Sequence, residues 1–258
     1  MESKLDGNFW VRHLAVPFFL FLAAAVYCEV TGVDLVFADR FFDFSAGVWP
    51  ARHSWWAEWL IHQRGKELII LITAGSFAGW LTSWRCQRLR RDRWPLLFLA
   101  LAIVLSTTSV AVMKKEIGRH CPWDITRYGG SVPYTRLTEA PPQACAPGNC
   151  FPAGHASGGF ALLAGYFAWR DRRSFLARTW LATGTALGSI YAYGQMARGA
   201  HFLSHNFYSA IICWLIPLFL YLPYRYLVTA PQAEVPLAAA SPIPVAAHPV
   251  IAEGIEGN

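Results

Sequence analysis

The stretch 95-PLLFLALAIVLSTTSVAVMKK-115 decides the fold. From Pro95 to Met113 it carries no charged residue. Its length matches the roughly 20 apolar residues a helix needs to cross a bilayer. Arg85, Arg88, Arg90, Arg91 and Arg93 precede it, and Lys114 and Lys115 close it. An apolar rod with basic ends reads as a transmembrane helix. Working outward, the segments Val11–Val30, Glu67–Trp84, His155–Trp169, Arg178–Ala197 and His205–Leu227 are also apolar. The fold class expected is therefore all-α, a polytopic membrane protein with six transmembrane helices in a bundle. A long extracytoplasmic loop separates spans three and four.

Composition agrees. The 258 residues are 55% hydrophobic and 15% charged, against about 25% charged in an ordinary globular chain. Disordered chains, coiled coils and disulfide-knot peptides are excluded. The net charge of +6 does not point to nucleic acid, because the arginines cluster between apolar spans. The six cysteines contain no C-x-x-C pair, so no structural zinc site is expected.

The basic residues set orientation. One Arg-rich loop joins spans two and three. The other, with Arg170, Arg172, Arg173 and Arg178, joins spans four and five. Both are cytoplasmic by the positive-inside rule, which puts both termini in the cytoplasm. Trp84, Trp94, Trp169 and Trp180 flank these loops as an interfacial belt. The first apolar run ends at Cys28–Glu29, a poor cleavage site, and is expected to stay as a helix. In Ala51–Lys66, the residues Trp55, Trp56, Trp59 and Leu60 share one helical face. Either a helix lying on the outer membrane surface or a packed loop helix fits that pattern. Small residues four apart, at Gly154 and Gly158, Ala161 and Gly165, and Gly184 and Gly188, predict close helix packing. Two domains are expected: a membrane domain over residues 1–228, and a disordered, cytoplasmic, Pro/Ala-rich tail over 229–258.

This topology brings polar residues from distant parts of the chain to one membrane face, opposite the Arg-rich loops. Lys114, Lys115, Arg119 and Arg198 supply positive charge there. His155 and His201 are able to move protons or attack phosphorus. His155 follows Gly154 at a helix start, where backbone N–H groups attract phosphate. Read singly, each of these residues also fits a structural role, as an interfacial lysine or a packed histidine.

Three motifs in order now carry a resemblance. Lys114-x6-Cys121-Pro122, Pro152-Ala-Gly-His155 and Gly199-Ala-His201-x3-His205 resemble the signatures of the type-2 phosphatidic acid phosphatases, relatives of the vanadium haloperoxidases. The family pattern is Lys-x6-Arg-Pro, Pro-Ser-Gly-His and Ser-Arg-x5-His-x3-Asp. Cys121, Ala153, Gln195 and His205 depart from it. The resemblance implies His201 as nucleophile and His155 as general acid. It implies Lys114, Arg198, Gly154 and Arg119 as phosphate-binding groups, Arg119 and Arg198 standing in for displaced arginines. His205 or Asn206 takes the place of the carboxylate that orients His201. No metal and no cofactor are implied.

The expected function is a membrane lipid phosphatase working through a phosphohistidine intermediate. It sits in a bacterial-type inner membrane with its site facing the periplasm or exterior. Phosphatidic acid, phosphatidylglycerol phosphate, undecaprenyl diphosphate and the lipid A phosphates are its candidate substrates. The sequence sets no oligomeric state. A catalytically impaired relative that binds anionic lipid headgroups is the alternative, supported by the four departures. A transporter-like bundle predicts ionisable residues deep in the spans, and few occur. Between Lys114 and Gly154 lie Cys121, Cys145 and Cys150. A Cys145–Cys150 bond closes a short loop and leaves Cys121 free; a reduced set is the alternative. Arg127 and Tyr128 either wall the site or belong to a turn before Gly129.

Overall fold

A computed structural model describes residues 6–140 and 145–229 of the chain. The described residues are helical, with no strand among them. The tail beyond residue 229 lies outside the described residues.

Asp6 opens α1, Gly7–Thr31, by accepting the Phe9 amide (2.9 Å). Gly32, with φ +75°, ends it, and α2, Val33–Asp39, follows. Next come α3, Trp55–Arg64, and α4, Gly65–Thr82. These two run on without a break, α3 wound as a π-helix. The expected surface helix and the expected second span are thus one helical run. Trp55, Trp56, Trp59 and Leu60 remain exposed along it.

The deciding stretch forms α5, Arg93–Ile117, ended by Gly118 at φ +64°. The segment expected as span four is two short helices, α6, Gly154–Ala161, and α7, Ala164–Trp169. Both are almost wholly buried and pack against α5 and α8, Ser174–Ala197. The last helix is α9, Leu203–Thr229. Among the described residues, three helical runs, Gly7–Thr31, Gln87–Asp124 and Leu203–Tyr226, are long and apolar enough to cross a membrane.

Small residues let α6 and α8 touch. A Cβ on Gly159 would stand 2.6 Å from the Gly188 Cα, so backbone meets backbone there. The core under this contact is aliphatic and aromatic, with Leu99, Ile103, Leu162, Phe167, Leu218 and Tyr221 fully buried. A second, smaller cluster under the loops holds Phe42, Trp49, Ile125, Tyr128 and Phe202. Tyr128 is a clamp rather than a site wall. Its hydroxyl donates to Asp39 (2.8 Å), which also pairs with Arg127 (2.7 Å).

Candidate functional site

Backbone hydrogen bonds stitch the three motif segments together. The Cys150 amide donates to Arg119 O (2.9 Å) and the Trp123 amide to Gly199 O (3.0 Å). The Ala153 amide reaches His205 O (3.3 Å), and Ser209 Oγ donates to Ala153 O (3.0 Å). The same pairing decides the disulfide. It joins Cys121 to Cys150, with Cα atoms 5.2 Å apart, and Cys145 is free. The expected Cys145–Cys150 bond is therefore wrong. The Arg119–Cys150 bond lays the two segments side by side, which brings Cys121 opposite Cys150.

His201 sits between α8 and α9 and is buried. Gly199 delivers it, with φ +75° and the Trp49 ring packed where a Cβ would be, 2.5 Å away. The ring's Nδ1 lies 3.6 Å from Cys150 Sγ, and the Cys150 backbone hydrogen-bonds the ring. Nε2 is thus the nitrogen turned away from the disulfide. Burial, reinforced by His205, Lys114 and His155, drives the His201 pKa well below its ordinary 6.5. The ring is neutral at pH 7.

The two candidates for orienting His201 behave differently from expectation. The His205 ring centroid is 5.9 Å from that of His201, and its buried Nδ1 has no hydrogen-bond partner. Asn206 donates its amide to Phe202 O (3.0 Å), one helical turn back, and its Oδ1, the acceptor expected for His201, is buried with no hydrogen-bond partner. The Cys150 backbone hydrogen-bonds the His201 ring and the His205 ring alike.

Lys114, in the last turn of α5, lies across Gly154. A Cβ there would stand 3.4 Å from Nζ. His155 follows, and its Nε2 donates to the Ile61 carbonyl (3.1 Å), which leaves Nδ1 for proton transfer. The two proposed arginines are already engaged. Arg198 donates to Arg52 O (3.0 Å) and approaches Glu58 and Gln195 (both 3.5 Å). Arg119 turns to the loop, donating to Thr135 Oγ1, Leu137 O and Glu139 O (3.2, 2.7 and 2.6 Å).

His62 was not anticipated. Its ring stacks on His155 with centroids 4.4 Å apart, and Gln195 Nε2 donates to its Nδ1 (3.3 Å). Burial lowers its pKa, helped by the Arg198, Lys66 and Lys114 charges. A sequence signal existed. Glu58, His62 and Lys66 are four apart, so they share one helical face.

Beside His155 opens a cleft of about 640 Å³ between α4, α5 and α6. Lys66 and His155 are at its polar end, while Ile69, Phe77, Leu101 and Val104 make the rest apolar. Separately, ligating atoms of Cys150, His201 and His205 lie within 4.8 Å of one another. His155 and Gly154, with Lys114 packed on Gly154, thus make a basic corner at the edge of an apolar cleft. Such a corner is suited to phosphoryl transfer from an amphiphile.

The sequence model of the PAP2 superfamily matches residues 95–228. No curated protein matches the chain. Among solved structures, the first transmembrane PAP2-type phosphatidylglycerolphosphate phosphatase from Bacillus subtilis is similar at 18% identity and a TM-score of 0.49. The match covers 84% of this chain and 98% of that one.

Proposed function

The chain belongs to the PAP2 superfamily, and from that premise we propose that it is a membrane lipid phosphatase. It removes the phosphate of a lipid phosphate or diphosphate. The observation that carries this reading is the join between the apolar cleft and the His155–Gly154–Lys114 corner. A lipid tail fits the cleft, and its phosphate then meets the histidines.

In this reading the neutral His201 attacks phosphorus through Nε2. The bond from phosphorus to the lipid oxygen breaks, and His155, which enters this step protonated on both ring nitrogens, gives that oxygen its Nδ1 proton and is left neutral. Water then attacks the phosphohistidine. His155 takes the water's proton, phosphate leaves, and His201 is restored. Lys114 and the Gly154 amide hold the phosphoryl oxygens. Arg198 acts from behind, keeping Gln195, and through it His62, beside His155. The protein lies in a bacterial-type inner membrane with both termini in the cytoplasm. Residues 1–228 act as the membrane domain and 229–258 as a cytoplasmic tail.

A second reading has one specific support. Neither Arg119 nor Arg198 has its guanidinium free, as a phosphate-binding role requires. In that reading the protein binds anionic headgroups without turnover. Phosphate release from purified protein, measured on a panel of lipid phosphates and diphosphates, separates the two. His201→Ala is expected to abolish release, and His155→Ala to slow it by about 10²–10⁴-fold. Equal release by wild type and His201→Ala removes the nucleophile from the scheme. Binding without release by wild type on every lipid favours the second reading.

A further inference from the structure

We propose that the main-chain carbonyl of Cys150 is the group that orients His201, with the Cys121–Cys150 disulfide and the His205 ring as its anchors. The Cys150 backbone hydrogen-bonds both rings. Its amide is spent on Arg119 O (2.9 Å), so the carbonyl is what the rings meet. A carbonyl oxygen has two lone pairs and accepts from both. A neutral imidazole meets a carbonyl only by donating an N–H. On the His201 ring the nitrogen on the Cys150 side is Nδ1, 3.6 Å from Sγ. The proton therefore sits on Nδ1, and the lone pair on Nε2.

Cys150 is held in place for this task. The Arg119 bond fixes its main chain, and the disulfide ties its side chain to Cys121. Cys121 is itself set, its amide donating to Asp124 Oδ2 (2.9 Å). Next along the chain, the Trp123 amide donates to Gly199 O (3.0 Å), just before His201. The anchor and the ring it orients thus share one frame. His205 adds a further hold. Its buried Nδ1 has no partner, so Nε2 is the nitrogen that reaches Cys150. Cys121, Cys150, His201 and His205 are all buried, where a hydrogen bond is electrostatically stronger than in water.

Cys121 and His205 both stand where the motifs quoted above have another residue. Both serve the same carbonyl, one through a covalent bond and one through a hydrogen bond. A neutral acceptor fixes the tautomer of His201 without the negative charge that would favour its imidazolium. That the Nε2 lone pair meets phosphorus rests on the phosphatase reading; the tautomer does not.

The test uses the full-length protein in detergent, labelled with ¹⁵N-histidine, and reads the His201 ring by NMR at pH 7 without substrate. His201→Gln identifies its signals. Wild type is expected to carry the His201 proton on Nδ1, with Nε2 bare. The double variant Cys121→Ala/Cys150→Ala keeps the carbonyl and removes its anchor. There His201 should divide between the two tautomers, and kcat for phosphate release from a lipid phosphate should fall about 10²-fold with KM unchanged. His205→Ala should lower kcat about tenfold, and His205→Gln, whose amide still donates to the carbonyl, should recover most of that loss. A wild-type His201 with its proton on Nε2, wholly or in part, would overturn the proposal. So would a double variant that keeps the wild-type tautomer, a loss that falls on KM instead of kcat, or a His205→Gln as slow as His205→Ala. The wild-type spectrum needs no disulfide variant, so one that fails to fold leaves it decisive. Because the tautomer is read without substrate, a failed phosphatase assay and a failed orienting carbonyl are told apart.

Discussion

Removing one carboxylate at the start of α9 should loosen the whole site. Asp34 is buried in α2 and accepts the Ser204 amide (2.8 Å) and the Ser204 hydroxyl (2.6 Å). The Leu203 backbone is a further partner. This is a helix cap supplied from another element, placed where the helix dipole favours negative charge. Asp34→Ala leaves the Ser204 amide buried and without an acceptor, at about 1–3 kcal/mol for each such donor. With the Leu203 partner also lost and the hydroxyl free to rotate, the total comes to about 2–4 kcal/mol. The apparent melting midpoint in detergent should fall by roughly 5–15 °C. Asp34→Asn keeps an acceptor oxygen and should fall less. The pH dependence gives an independent check. Burial raises the Asp34 pKa above its ordinary 3.8. The stability tied to this group is therefore full below 3.8 and is lost as pH rises through the folded pKa. Asp34→Asn does not ionise, so its melting point should gain on wild type as pH is raised from 3.8. An unchanged midpoint in Asp34→Ala would refute the capping argument, and a wild type that gains on Asp34→Asn with rising pH would refute the raised pKa.

Other consequences are open to measurement. Gly159→Ala forces a methyl group against the Gly188 backbone and should cost about 1–3 kcal/mol, read as a lowered melting midpoint; an unaltered midpoint would mean α6 and α8 can part freely. Gly158 lines the cleft, and its Cβ position meets only Ile69, at 3.4 Å. Gly158→Leu should therefore fold, yet displace about two methylenes of a lipid tail, raising KM roughly tenfold at about 0.8 kcal/mol per methylene. Turnover of a short, soluble phosphate ester should be unaffected, and an equal loss on both substrates would take the tail out of the cleft. His201 stays neutral well below pH 6.5, so kcat/KM should show no acid limb from the nucleophile near that pH. A His201-dependent limb at 6.5 would contradict its burial.

Much of the frame was legible in the sequence because helices in lipid are dictated locally. Apolar length placed α5 and α9, and small residues placed the α6–α8 contact. The motif spacing brought Lys114, Gly154, His155 and His201 into one neighbourhood. What escaped was set by tertiary pairing. The partner of Cys150 depends on which backbone lies beside it, and Arg119 O, not proximity in sequence, decides that. The arginines looked free because their acceptors, Leu137 O, Glu139 O and Arg52 O, are main-chain groups that no sequence pattern marks. The break of the apolar segment after His155 into α6 and α7 follows from close packing at its glycines, which apolar length does not mark. His62 was hidden by its own neighbours. The tryptophans around it mark the exposed face of the same helix, and His62 lies on the half-buried one.

The cleft beside His155 is walled by α4 and α5, whose Ile70, Leu101 and Val104 are exposed on the outer surface of the bundle. A substrate arriving by that route never passes through bulk water. Its supply is counted in molecules per area of bilayer, and its encounter rate follows lateral diffusion in two dimensions. Kinetic constants then take the units of surface mole fraction. On the proposed phosphatase reading, diluting the substrate with inert detergent at fixed total concentration should slow turnover as surely as removing substrate.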